Sequence, residues 1–508
     1  MKQKKTFLIN TVILTLTALI LRAAGLFFRV YLSNIIGAEG IGLYQLIFSV
    51  YMFASTFATS GISTAVTRLC ADEIVCANKK TILKTLKSAI KISVIIGAIT
   101  NILVYFSSPT IAGVLIGDIR ANASIKILSF SLIPMGISAC FKGYFMAFRK
   151  TIQPSVASIF EQTVRITVVM LLLKLANAKT IESACFYVLL ADTIAEISSC
   201  VYIYFCFINS KKTIKTAEKQ TNFLHWGTKS ILKIATPIAT GRYLTSGLRT
   251  AENLIVPKCL SMFTNDTSSG IKIFGLLKGM ALPIIFFPSS FLQAVSTLLI
   301  PEISESAAIG ETKTIRKDVE RVVGITIVGA VLVGGCFYLC GDSISLALYK
   351  ETRVGELLKI LSPLIPLMYL ESVVDGILKG LNKQNYTLLY NTIDSSLRIL
   401  LILFLVPRFG MQGFLVMMVF SNLLTCSLNF IKLLKVTVLK FDIKNWVIKP
   451  LISIIISVAT ANKICFNITN NTAHIIIGIT IISSIYFTLI LISKTLDLRA
   501  VLPQKKSS

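Results

Sequence analysis

Apolar runs of eighteen or more residues recur from one end of this chain to the other, and that feature leaves few folds open. A bilayer core is about 30 Å thick and is crossed by a helix of about 20 apolar residues. Fourteen such spans are predicted, near residues 6–32, 41–66, 89–107, 125–147, 154–176, 183–208, 229–256, 272–299, 320–340, 358–379, 386–406, 412–434, 446–465 and 474–493. The first run follows Met1-Lys-Gln-Lys-Lys. It is too long for a signal peptide and lacks a small-residue cleavage site, so it counts as span 1. Only 15% of the 508 residues are charged, against about a quarter in soluble proteins. The expected class is an all-α, polytopic membrane protein. Nearly everything between the spans is a short loop, with no room for a catalytic domain, so an enzyme is not expected.

The formal net charge is +27, which would suit nucleic acid if it formed a patch. It does not. With loops assigned alternately to the two sides, starting with the N-terminus inside, most lysines and arginines fall inside. They include Lys79-Lys80, Lys211-Lys212, Lys215, Lys313, Arg316-Lys317, Lys435, Lys440, Lys444 and Lys505-Lys506, with few such as Arg120, Lys258 and Arg408 outside. This is the positive-inside pattern, and it predicts a cell-membrane protein with both termini cytoplasmic. The basic balance belongs to topology and lipid headgroups, and no nucleic-acid partner is expected. The 11 cysteines are scattered, without a CxxC pair, and the two histidines, His225 and His474, lie far apart. Disulfide frameworks, zinc and haem are therefore unsupported, and no cofactor is expected.

An internal repeat organises the chain. The stretch KGYFMAFRKTIQPSVASIFEQTVRI from Lys142 and the stretch DGILKGLNKQNYTLLYNTIDSSLRI from Asp375 align at an offset of 233 residues, pairing Gly143 with Gly376, Lys150 with Lys383, Glu161 with Asp394 and Arg165 with Arg398. Spans 4–5 thus correspond to spans 10–11. The number of helices between them is even, so the halves are parallel repeats about an axis along the membrane normal. The expected layout is two pseudo-symmetric six-helix lobes, 1–208 and 229–434, joined by a basic cytoplasmic linker, 209–228. Two extra helices and a cytoplasmic tail follow over 435–508.

Charges at mid-membrane cost roughly 2.5–3.5 kcal/mol each on insertion scales, so they face a cavity or a partner. Glu161/Arg165 and Asp394/Arg398 are i,i+4 pairs that can neutralise each other on one helix face. They read as scaffold, although a carboxylate beside an arginine can also take part in ion coupling. Span 1 differs, because Arg22 and Arg29 lie two turns apart on one face with no acid in the span. Span 7, its counterpart, repeats the spacing with Arg242 and Arg249. Four guanidinium groups from two lobes are expected to converge on one cavity, where they suit phosphate, which they grip bidentately without losing charge. The competing reading is internal neutralisation. Asp192, Glu196, Glu371 and Asp375 nearly balance the arginines, and Glu252 lies three residues from Arg249.

The stretch RAAGLFFRVYLSNIIGAEGIGLYQLIFSVYMFASTFATSGISTAVTRLCADE, residues 22–73, resembles the start of the stage V sporulation protein B and related polysaccharide-type flippases. GAEGIGLYQ, Gly37 to Gln45, is its most telling piece, followed by Gly-Ile-Ser at 61–63 and Arg68 ahead of an acid pair. These flippases belong to the multidrug/oligosaccharidyl-lipid/polysaccharide exporter superfamily, which also contains the peptidoglycan lipid II flippases. The resemblance runs over essentially the whole chain, including EQTVRI in span 5. It implies a V-shaped two-lobe transporter that flips an undecaprenyl-diphosphate-linked glycan precursor by alternating access. Lipid II is the favoured substrate, and the sporulation name implies spore cortex peptidoglycan and cell-wall synthesis machinery as a partner. It also implies that Arg22, Arg29, Arg68 and one or both of Arg242 and Arg249 line the cavity. One departure is that lipid II flippases typically place an aspartate after the second span-1 arginine, whereas Val30 stands here.

Such a cavity would admit the head group, which could not cross hydrocarbon unaided, while the polyprenyl tail stays among membrane lipids. No GxxxxGK[ST] motif is present, which argues against direct ATP coupling. The membrane potential, a proton, or a sodium ion near Asn391 and Asp394 are the expected drives. The alternatives are a flippase for a teichoic-acid or capsule unit and a cation-coupled multidrug exporter. The exporter would usually have 12 helices and an acidic cavity.

Overall fold

The computed structural model describes residues 2–75, 79–176, 180–212, 228–309, 311–439 and 441–493. Most of the basic linker, including Lys215 and His225, and the tail with Lys505-Lys506 lie outside the described residues. Among the described residues the chain is helical, with no strand.

The helices run in the order α1 (Lys2–Thr59), α2 (Ile62–Val75), α3 (Lys79–Thr110), α4 (Asn122–Ser129), α5 (Leu132–Ala147), α6 (Ile152–Leu175), α7 (Ile181–Lys212) and α8 (Thr228–Thr264). They continue with α9 (Thr267–Phe274), α10 (Leu282–Ile309), α11 (Thr312–Tyr349), α12 (Thr352–Leu361), α13 (Ile365–Gly380), α14 (Gln384–Thr437), α15 (Lys449–Cys465) and α16 (Asn471–Ile492). Short π-helical turns follow α3 and α9 and precede α15. Ten described stretches are long and apolar enough to cross a membrane, or eleven when the 43° bend between Ile119–Ser129 and Leu132–Ala147 is taken inside one span. Two of them hold two predicted spans each, on either side of Gly37 in α1 and Gly410 in α14. Those glycines break the helix with φ of 70° and 56°, a region that costs a side chain dearly. α8 is as long as the others but more polar and carries Pro237 and Pro257. The helices are thus consistent with fourteen crossings in a multi-pass membrane protein.

Local chemistry sets the ends. Pro109 lacks an N–H and crowds the preceding turn, and α3 passes directly into a π-turn that closes on Gly117 at φ 81°. Asp266 caps α9, accepting from the backbone N–H of Ser268 and Ser269 at 3.2 and 2.8 Å. Those bonds, with the Ser269 hydroxyl, hold its carboxyl below the ordinary aspartate value.

The chain divides into two compact units, Met1–Phe28 with Ile36–Gly275 and Arg29–Ile35 with Leu276–Ser508. In the first unit, α2 and α3 pack on α5, and α6 packs on α7. α8 and α9 belong to this unit as well, with α8 on α2 and α3, whereas the repeat begins its second half at 229. A repeat records which helices correspond, while packing decides which body each joins. In the second unit, α11 is the central helix, touching α10, α12, α13, α15 and α16. Its core includes Val319, Val323, Val374, Leu378, Leu433, Ile482 and Tyr486.

α9 meets the second half of α1 backbone to backbone. A Cβ built on Gly275 would stand 1.9 Å from the Ala38 carbonyl oxygen and 2.8 Å from the Gly42 nitrogen. Backbone atoms cannot yield as a side chain would, so Gly275→Val is expected to cost about 1–3 kcal/mol. Thermal unfolding of purified protein should show a lower midpoint, and an unchanged midpoint would contradict this packing.

Candidate functional site

The intramembrane charges sort into two groups by what they touch. The first group is locked. On α6, Arg165 pairs with Glu161 one turn earlier at 3.0 Å and donates to Gln162 at 2.9 Å. Its Nε stands 2.8 Å from Asp192 of α7, a close ion pair outside hydrogen-bond geometry. Lys142 of α5 lies 3.7 Å from Glu161. Asp192 is 3% exposed and Glu196, one turn on, 9%, and Tyr44 of α1 lies beside Asp192. Three consecutive helices and α1 therefore close around one arginine, and burial of that many charges is tolerable only because they pair.

The repeated motif builds the same local pair in the second unit. Arg398 Nε lies 3.0 Å from Asp394, which also accepts from the Ser421 hydroxyl at 2.6 Å. Glu371 of α13 completes this cluster, near Asp394, Arg398 and Thr425. The neighbours differ between the units. At the same offset of 233, Asp192 and Glu196 of α7 correspond to Thr425 and Asn429, and Ser138 and Lys142 of α5 correspond to Glu371 and Asp375. Each unit has an arginine–carboxylate pair with further acids beside it. The extra acids come from the helix after the pair in one unit and from the helix before it in the other. Sequence reasoning placed Glu161/Arg165 and Asp394/Arg398 but not Asp192 or Glu371 as their neighbours. The repeat carries no signal for Asp192, because its counterpart at the same offset is Thr425.

Asn391 is half-buried, one turn before Asp394 on the same face of α14. Both oxygens of Asp394 already have neighbours, Ser421 on one and Arg398 on the other. Among the described residues no group of three or more His, Cys, Asp or Glu side chains is placed to hold a metal ion.

The second group is not locked. Arg22, Arg68, Arg242 and Arg249 are exposed and Arg29 is half-buried. Among the described residues none of these five forms an ion pair with an acid. The pairing of Arg249 with Glu252 is not made. Glu252 is 3% exposed while Arg249 opens outward.

The packing of α8 explains the exposure of its arginines. Tyr243 stacks on Phe57 with ring centroids 4.5 Å apart. Thr250 donates to the Ser49 carbonyl oxygen at 3.1 Å, and Asn253 donates to the Ser49 hydroxyl at 3.0 Å. Numbers rise on α8 as they fall on α1, so the two run antiparallel. Tyr243 and Thr250 point at α1, and Arg242 and Arg249 each precede one of them, about 100° round the helix and off the packed face. Arg68 lies on α2, which packs on α8 in the same unit. There Thr67 donates to the Gly143 carbonyl oxygen and fixes the helix rotation, turning Arg68 outward. Arg22 lies on the first half of α1 in this unit. Arg29 belongs to the second unit, near Tyr349, where Asn34 donates to the Leu348 carbonyl oxygen at 2.8 Å. Unpaired guanidinium groups on helices of this length can grip an anion of the phosphate class.

A family model described as polysaccharide biosynthesis protein matches residues 7–307. The stage V sporulation protein B of Bacillus subtilis (strain 168) is 23% identical over 448 residues, 87% of this chain and 86% of that protein. The lipid II flippase MurJ of the same organism is 23% identical over 421 residues, 77% of this chain and 76% of that one. A solved structure of a lipid II flippase MurJ in an inward closed conformation superposes with a TM-score of 0.71 at 16% identity, covering 95% of this chain and 98% of that one. The two folds are alike.

Proposed function

The chain belongs to the polysaccharide biosynthesis protein family, and from that premise we propose that it translocates an undecaprenyl-diphosphate-linked glycan precursor across the cell membrane by alternating access. Lipid II for peptidoglycan, including spore cortex, is the favoured substrate. Arg22, Arg29, Arg68, Arg242 and Arg249 are the groups that meet the diphosphate. The observation that carries this reading is that these five arginines have no acid partner among the described residues, whereas Arg165 and Arg398 in the same membrane do. A structural arginine in a low-dielectric setting is expected to be paired, and an unpaired set is better suited to a ligand that brings its own negative charge. The names of the relatives support a lipid-linked substrate, and so does the similarity of fold.

Both termini lie in the cytoplasm in this proposal, following the lysine and arginine bias of the loops. The drive is the membrane potential acting on the charged site, worth about 2.3 kcal/mol per elementary charge per 100 mV, or a coupling ion, Na+ or H+. Asn391 and Asp394 are the proposed cation ligands. A sodium ion there would compete with Arg398 for Asp394 and loosen that pair. Enzymes that make the precursor or consume it after translocation are the proposed functional neighbours.

The direct test is native mass spectrometry of the full chain from membranes, with undecaprenyl-diphosphate carriers of different head groups offered in competition. Retention of lipid II above a teichoic-acid or capsule carrier is the expected result. Preference for another diphosphate-linked glycan would move the substrate within the class, and binding of organic cations in place of any diphosphate lipid would overturn the reading in favour of drug export.

A further inference from the structure

α3 carries a second basic feature that the proposed function does not use. Its first twelve or so residues hold Lys80, Lys84, Lys87 and Lys91, and its 32 residues contain no acid. The spacing of four, three and four keeps all four side chains within an arc of about 60° along about 16 Å of helix. All four are exposed, while Ile82, Leu86 and Ala89 on the opposite side are buried in the core shared with α2 and α5. Among the described residues none of the four forms an ion pair.

What lies beyond the stripe on the same face identifies its surroundings. Ile95 is 48% exposed and Ile102 55%, and by helical register they continue the line of Lys84 and Lys91. One face of α3 is therefore apolar and open where it crosses the hydrocarbon and lysine-bearing immediately before that. A helix of 32 residues is about 48 Å long, some 18 Å more than the bilayer core, and the lysines occupy that excess. Lys91 and Lys87 fall at headgroup depth with their stems against the acyl chains, as lysine side chains do at an interface. Lys84 and Lys80 stand farther out, within or close to a Debye length.

We propose that this stripe is a docking surface for the headgroups of anionic phospholipids in the leaflet at the lysine end of α3. The general bias of loops toward lysine asks only for a count of charges on one side of the membrane. It does not require them to share a face, to lack partners, or to lie under the lipid-facing side of their own helix. An acidic protein would need a face turned to water, whereas this one runs into exposed isoleucines.

The test uses the full chain in nanodiscs of equimolar phosphatidylglycerol and phosphatidylcholine, with retained lipids of each class counted by native mass spectrometry. Wild type is expected to retain phosphatidylglycerol preferentially. A lysine near an anionic surface is worth about 1 kcal/mol, a factor of about five. Replacing Lys87 and Lys91 with glutamine should therefore lower the preference at least about fivefold, and the four-fold Lys→Gln variant should lower it further. The four-fold Lys→Arg variant should keep the preference, which separates lost charge from lost fold. Glutamine at Lys313, Lys317, Lys435 and Lys444 removes the same charge elsewhere and should leave the preference intact. Equal retention of the two lipids by wild type, or an equal loss in that control, overturns the proposal.

Discussion

Single replacement of Arg22, Arg29 or Arg242 with alanine is expected to reduce precursor translocation by about 10- to 100-fold while leaving the amount and melting temperature of the protein near wild type. The size follows from the loss of one hydrogen-bonded contact to a charged group, about 1.5–3 kcal/mol. The selectivity follows from the packing. Arg22 and Arg242 are exposed and Arg29 half-buried, and none holds an acid in place among the described residues, so their removal strands no buried charge. Lysine should restore part of the loss, because it returns the charge without the planar fork. The measurement is flipping in vesicles together with growth of a flippase-depleted strain, with membrane abundance followed in parallel. Normal translocation in all three alanine variants would remove the diphosphate grip.

Arg165→Met should behave in the opposite way, with folding lost before transport can be measured. Arg165 pairs with both Glu161 and Asp192, and Asp192 is nearly inaccessible. Removing the cation leaves two carboxylates facing each other in a buried site, at a cost of about 3–5 kcal/mol, a large share of a typical net stability. Lys142, 3.7 Å from Glu161, offsets a small part of this. The expected outcome is little full-length protein in the membrane and a clearly lower melting temperature for what is recovered. Adding Glu161→Gln and Asp192→Asn should recover most of the protein, because the one carboxylate left in the cluster, Glu196, keeps Lys142 as its counter-charge and the guanidinium is no longer needed. A single Arg165→Met variant with wild-type stability would show that the cluster is not structural.

These two expectations separate arginines that look alike in the sequence, and they show where the reading of the chain succeeded. The i,i+4 pairs were legible because a helix places residues four apart on one face whatever surrounds it, and both formed at 3.0 Å. The membrane class was legible because length and hydropathy decide it locally. Arg249 and Glu252 were close enough in sequence to suggest a pair, yet one is exposed and the other buried. The rotation of α8 is set by Tyr243 against Phe57 and by Thr250 and Asn253 against Ser49, contacts with a helix some two hundred residues earlier. The breaks at Gly37 and Gly410 fell between predicted spans, but only the backbone shows that each is a kink made by a single positive-φ residue between two helices.

By itself the sequence determined that this chain is a bundle of membrane helices with a repeated arginine–carboxylate pair and a set of arginines without nearby acids in span 1. Each of these is a property of one helix, fixed by its own period and composition. The tertiary structure decided which charges are spent on neighbouring helices and which remain open. Asp192 closes on Arg165 and Ser421 on Asp394, while Arg22, Arg68, Arg242 and Arg249 stay exposed. The physical reason is that a partner across a helix interface depends on the rotation and register of two helices against each other, and close packing sets those through contacts far apart in the chain.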